Sequence, residues 1–176
     1  MPDTGNELNE TPKVVRPRYR EALFSAISVG FFFLLVGLIF IITPNLFDKI
    51  VGPQGFFQNF KLKPIPHLQN VSIPAPANPG NYSMVYSAVW EFSVVWGLFQ
   101  VFILAFRFIV GSPFSKKVET ASDMVFWLGT SYVVGMLLNE MTTMEKWFAF
   151  WAAIVMLIGV SLIVRAVILA ARLAVS

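Results

Sequence analysis

Residues 22–43 read ALFSAISVGFFFLLVGLIFIIT, an unbroken stretch without one charged side chain. About 20 such residues, wound into a helix, cross the ~30 Å hydrocarbon layer of a bilayer. The stretch is apolar on every face, unlike the amphipathic helix of a soluble domain. Three further apolar runs follow: Met84 to Val110, Met124 to Asn139 and Trp147 to Val164. A chain of 176 residues has no interior large enough to hide four such helices. Lipid must solvate them. The sequence therefore predicts an all-α integral membrane protein: a four-transmembrane-helix bundle with a short interfacial helix and a proline-rich outer loop.

Composition agrees. Hydrophobic residues make up 56% of the chain and charged residues 13%, against roughly 45–50% and 25% in soluble domains. There is no cysteine, which excludes disulfides, thiolate metal sites and cysteine nucleophiles. The lone His67 leaves no histidine pair for haem, copper or a di-metal centre. No nucleophile elbow, phosphate-binding glycine loop or zinc-protease helix is present. No catalytic residue, metal ligand or cofactor is expected.

The net charge of +3 belongs to the flanks of the spans, not to nucleic-acid binding. Lys13, Arg16, Arg18 and Arg20 precede the first span, Arg107, Lys116 and Lys117 follow the second, and Arg165 and Arg172 close the fourth. The opposite side holds only Lys49, Lys61, Lys63 and Lys146. This bias predicts a multi-pass protein of the cell membrane with both termini in the cytoplasm. The first apolar run is longer than a signal-peptide core, and Thr43-Pro44-Asn45 is a poor cleavage site, so an uncleaved signal-anchor is expected.

One domain over residues 19–174 is expected, preceded by a disordered cytoplasmic tail over 1–18. The spans fall at 19–44, 81–111, 120–139 and 147–174. An outer interfacial helix and extended loop occupy 45–80, a cytoplasmic link 112–119, and an outer hairpin 140–146. Within the loop, Asn45 can cap a helix over Leu46–Val51, and Phe60–Lys63 can pair with Val71–Ile73. Asn81 can cap the second long helix, which Gly111 and Pro113 stop. Glu119 and Asp123 suit the start of the third helix near Thr120. Thr142 and Glu145 form a capping box for the fourth. Tyr82, Tyr86, Trp90, Trp147 and Trp151 read as an aromatic belt at the outer interface. Asn70 and Asn81 each begin a glycosylation sequon on that side.

Small residues on one face of a membrane helix mark a close helix neighbour. Gly30 with Gly37 and Ala149 with Ala153 are such helix-packing positions, and Gly129 and Gly135 mark the third helix as one packed inside the bundle. The sharpest chemical signal is Glu91, about ten residues or ~15 Å of helix below Asn81. An intramembrane carboxylate is costly and points to a functional site. Ser83 and Ser87 extend it into a polar stripe, and no second acid is expected at its depth. Glu91 either lines a cation or proton path or hydrogen-bonds to Thr130, Ser131 or Tyr132 of a neighbouring helix. Gln100 and Arg107 occupy the opposite face, and Arg107 and Arg165 fall where arginines reach lipid headgroups or a partner subunit.

Two functions remain open on these residues. One is a small non-catalytic membrane protein acting through helix–helix association, as accessory subunit of a larger complex or as a homo-oligomer, with lipid and other membrane subunits as partners. The other is an oligomeric ion channel or transporter with Glu91 lining the path.

Overall fold

The computed structural model describes residues 17–65 and 68–175, so most of the acidic tail and His67 lie outside the described residues. The chain is mostly helical. Helix α1 spans Pro17–Ile42, α2 Leu46–Val51, α3 Ser83–Ile109, α4 Phe114–Leu137 and α5 Met144–Val175. Strands β1 (Phe60–Ile65) and β2 (Leu68–Pro76) stand between α2 and α3. Three stretches are long and apolar enough to cross a membrane: Glu21–Ile42, Pro79–Ile109 and Met144–Ala174. That is the mark of a membrane protein. Helix α4 is less apolar because Lys116, Lys117, Glu119 and Asp123 all lie in its first ten residues.

The long helices pack as a row rather than closing on themselves. Helix α3 packs extensively on α4 and α4 on α5, while α1 rests more lightly on α3, and the outermost α1 and α5 share no comparable contact. Glycines set the close approaches. A methyl group added to Gly97 would sit 2.6 Å from a Leu128 methyl, and one on Gly129 would sit 2.5 Å from a Leu157 methyl. Gly135 likewise faces the Trp90 indole. Gly97, Gly129 and Gly135 thus lie at close helix contacts. At Gly30 and Gly37, by contrast, nothing among the described residues of other elements lies within 4 Å of where an added methyl group would sit. Ala149 is exposed and Ala153 only half-buried. Between α4 and α5 the buried Ser122 hydroxyl donates to the Ser161 carbonyl at 2.7 Å.

The helix ends correct several expected caps. Asn45 adopts a left-handed φ of 55° and makes no side-chain cap. Asn81 sits in a short 3-10 turn, Pro79–Tyr82, and caps nothing either. At the far end of α3, Gly111 at φ 70° lets the Ser112 N–H reach back to the Arg107 carbonyl at 3.0 Å. This six-to-one closure needs a residue without a Cβ penalty in the left-handed region. Helix α4 then starts at Phe114 behind Pro113, inside the expected link, so Glu119 and Asp123 lie past its first turn. Thr143, not Thr142, caps α5 by accepting the Lys146 N–H at 3.3 Å. Thr142 instead ties the α4–α5 turn, accepting the Asn139 N–H at 2.6 Å.

The proline-rich stretch is not a polyproline loop. It forms an antiparallel hairpin whose rungs include Phe60↔Pro76, Leu62↔Pro74, Lys63↔Ile73 and Pro64↔Ser72. Pro64, Pro74 and Pro76 all fall on alternate rungs. Ala77 N–H donates to the Asn59 carbonyl at 2.9 Å, which fixes the intervening rungs as the hydrogen-bonded ones. A proline lacks the N–H that a ladder needs, so the three sit where that group would point outward.

The foot of the hairpin is an aromatic cage. Phe56 meets Tyr82 at 5.2 Å and Trp147 at 5.8 Å, both edge-on, and Phe60 and Tyr86 each lie 6.2 Å from Trp147. Such edge-to-face pairs add about 0.5–1.5 kcal/mol beyond burial. Tyr82, Tyr86 and Trp147 are buried, so they are core and not a lipid-facing belt; Trp90 and Trp151 stay exposed. The cage fastens the hairpin to the tops of α3 and α5.

Candidate functional site

Two polar pockets flank α3, one at the hairpin end and one at the end that carries the chain termini. The first has a volume of about 490 Å³. A helix turns about 100° per residue, so Ser83, Ser87 and Glu91 recur on one face, and all three line this pocket. Trp90 forms part of the wall, held there by the close approach of Gly135 from α4. Asn139 and Glu140 come in from the α4–α5 turn, and Thr43 from the end of α1.

Glu91 is half-buried and makes no hydrogen bond or ion pair among the described residues. The expected bond to the neighbouring helix is not formed. Ser131 donates to its own helix at Leu128 (2.7 Å), Tyr132 is exposed, and the Thr130 hydroxyl is buried without a partner. Glu140 lines the same pocket from the exposed α4–α5 turn, where its backbone lies against Gly80, eleven residues along the chain from Glu91. No basic residue lines this pocket among the described residues.

The second pocket, of about 310 Å³, lies among α1, α3 and α4. The sequence placed Arg107 against lipid or a partner. Instead its guanidinium points inward: Nη2 lies 3.3 Å from Glu21 Oε2, Nη1 donates to the Lys116 carbonyl at 2.6 Å, and Cζ sits 5.7 Å from the Phe24 ring centre. One side chain thereby ties the start of α1, the end of α3 and the start of α4. Lys116 in turn donates to Glu119 at 2.7 Å. Gln100 is buried in the same wall as Arg107. Arg165 is exposed on α5 and makes no ion pair among the described residues.

Aromatic side chains separate the pockets. Glu91 and Gln100 are nine residues apart on α3, or ~13.5 Å along the axis. Phe92, Trp96, Trp127, Phe31 and Phe99 fill the interval, with Phe31 stacked 3.9 Å over Phe99. Ser93 is fully buried there and spends its hydroxyl on the Val89 carbonyl at 2.7 Å. The two sequons stand apart from both pockets in being exposed at Asn70 and Asn81; Asn81 lines an open depression of about 890 Å³ between α2 and the hairpin.

Sequence reasoning missed Glu21 and Glu140. A signal existed for Glu21, an acid closing the basic run Arg16-Pro17-Arg18-Tyr19-Arg20 just where the apolar run begins. No comparable signal marked Glu140, whose position depends on the fold of the turn. No group of three or more acidic or histidine side chains able to hold a metal ion occurs among the described residues. Comparison with known families, characterised proteins and solved structures finds no match to this chain.

Proposed function

We propose that this chain is a small, non-catalytic, four-span membrane protein that works by helix–helix association, as accessory subunit of a larger complex or with copies of itself. Helix α4 is the fourth span in this reading. Its 24 residues reach ~36 Å, and its place between α3 and α5 shields polar groups that lipid would not accept. Both termini emerge at the basic end, which this reading places in the cytoplasm.

The observation that carries the reading is the open face of α1. Gly30 and Gly37 are seven residues apart on one side of a helix, yet nothing among the described residues packs against that side at either position. In lipid, small residues let another backbone approach within van der Waals reach. Helix α1 also has only α3 as a substantial helix neighbour among the long helices. Both facts favour a partner helix seated on this face. Native size in mild detergent tests it: an oligomer or complex is expected, and Gly30→Leu with Gly37→Leu should shrink it without unfolding the chain. A lone monomer with nothing co-purified overturns the reading.

The second reading, cation movement through an oligomer, is favoured by one observation: the unpartnered Glu91 opening into a pocket shared with Glu140. Flux into liposomes lost on Glu91→Gln supports it. Flux that is absent, or unchanged by that substitution, removes it.

A further inference from the structure

The pocket at the terminal end has polar groups left over. Gln100 is 9% exposed, lines the pocket and has no hydrogen-bond partner among the described residues. Both carboxylate oxygens of Glu21 are buried without a hydrogen bond; their one contact is the 3.3 Å ion pair to Arg107. The Arg107 Nε is buried and unpartnered as well. Buried polar groups are nearly always paired, so orphans converging on one cavity point to an occupant.

The chemistry of that occupant follows from what is unpaired. Glu21 presents two anionic acceptor oxygens and Gln100 an amide carbonyl, while the Gln100 amide, the Arg107 Nε–H and the N–H groups that Arg107 and Lys116 do not already spend stand as donors. Asp123 adds a further carboxylate with no ion-pair partner among the described residues. The lining thus sets three carboxylates, Glu21, Glu119 and Asp123, against two cations, Arg107 and Lys116. Negative charge is in excess by one, which disfavours an anion. A quaternary ammonium, having no N–H, would leave the acceptors unpaired. A protonated primary amine brings three N–H donors and one positive charge on a compact head. We infer that this pocket binds a primary ammonium group, seated between the Glu21 carboxylate and the Gln100 amide. The pocket lies at the end of the spans, where headgroups begin, so the amine belongs either to a free alkylamine or to the headgroup of an aminophospholipid. The inference stands apart from how the chain assembles.

The absence of cysteine allows a clean test. Ser28, half-buried in the pocket wall, takes a Ser28→Cys reporter, with the exposed Ser115→Cys as control. In phosphatidylcholine nanodiscs the Ser28→Cys thiol reacts with a small water-soluble thiol reagent. Methylammonium should slow that reaction several-fold, and tetramethylammonium at equal ionic strength should not. Phosphatidylethanolamine discs identify the source. If the headgroup is the ligand, labelling is already slow in them and methylammonium adds little; if a free amine is, they label as the phosphatidylcholine discs do. Glu21→Gln in the reporter background should abolish protection, and Asp123→Asn, on an exposed residue, should weaken it should the first variant not fold. Equal effects of the two ammonium ions together with no effect of the lipid overturn the inference. So does a Ser28→Cys thiol that never reacts while Ser115→Cys does.

Discussion

The two ends of this molecule are held together by opposite means. At the hairpin end, Phe56, Phe60, Tyr82 and Tyr86 pack with Trp147, and the buried Tyr86 hydroxyl and Trp147 Nε1 have no hydrogen-bond partner among the described residues, so ring packing alone holds the cage. At the terminal end, one arginine bridges three helices while neighbouring carboxylate, amide and guanidinium atoms stay unpaired. Aromatic packing tolerates approximate geometry because its energy is spread over many contacts. A charged clamp concentrates its energy in two or three atoms and fails all at once when one is removed. The contrast is between contacts spread over many atoms and contacts concentrated in a few.

The strongest way to break that comparison is to remove the centre of the cage. Trp147→Ala should destabilise the protein by about 3–5 kcal/mol, the range for a large buried aromatic cut to alanine. Thermal unfolding in detergent measures it, and proteolysis between Pro53 and Gly80 should increase as the hairpin lifts. If stability hardly moves, the cage is ornament and the two ends do not differ as described. Arg107→Met comes next. Its side chain is 13% exposed and that of Glu21 21% exposed, so stranding the carboxylate should cost about 2 kcal/mol, less than for a fully buried pair. The double variant Arg107→Met with Glu21→Gln should recover most of that loss, and a double-mutant cycle reads the coupling. Additive losses would mean that the ion pair does not hold this end. The smallest effect is expected at Ser122→Ala, which removes a satisfied interhelical hydrogen bond worth about 0.6 kcal/mol in a membrane protein. A much larger loss there would show that the terminal end leans on hydrogen bonds as heavily as on charge.

The sequence was most legible where one residue type decides locally. Uninterrupted apolar runs gave α1, α3 and α5, and Gly111 with Pro113 gave the break between α3 and α4. The stripe of Ser83, Ser87 and Glu91 follows from helical spacing, and it does line one pocket. It was least legible where two distant segments must meet. Arg107 reads as a headgroup contact until Glu21 is known to stand opposite it. Gly30 and Gly37 read as a packing face, but spacing cannot say whether the neighbour lies in the same chain. Tyr82, Tyr86 and Trp147 have the composition of an interface belt, and only the folded hairpin above them turns them into core. Caps failed for a related reason: Thr142 and Thr143 are adjacent hydroxyls, and which one faces the helix depends on the turn before it.

The prolines of the hairpin carry a consequence for life outside the bilayer. A ribbon of two strands has both flanks bare, and a bare flank normally invites a strand from another molecule to join by main-chain bonding. Along this ribbon, positions 64, 74 and 76 offer an incoming segment carbonyls alone, because a ring closes off the nitrogen at each. The hairpin thus resists growing into a larger sheet by strand addition at either flank.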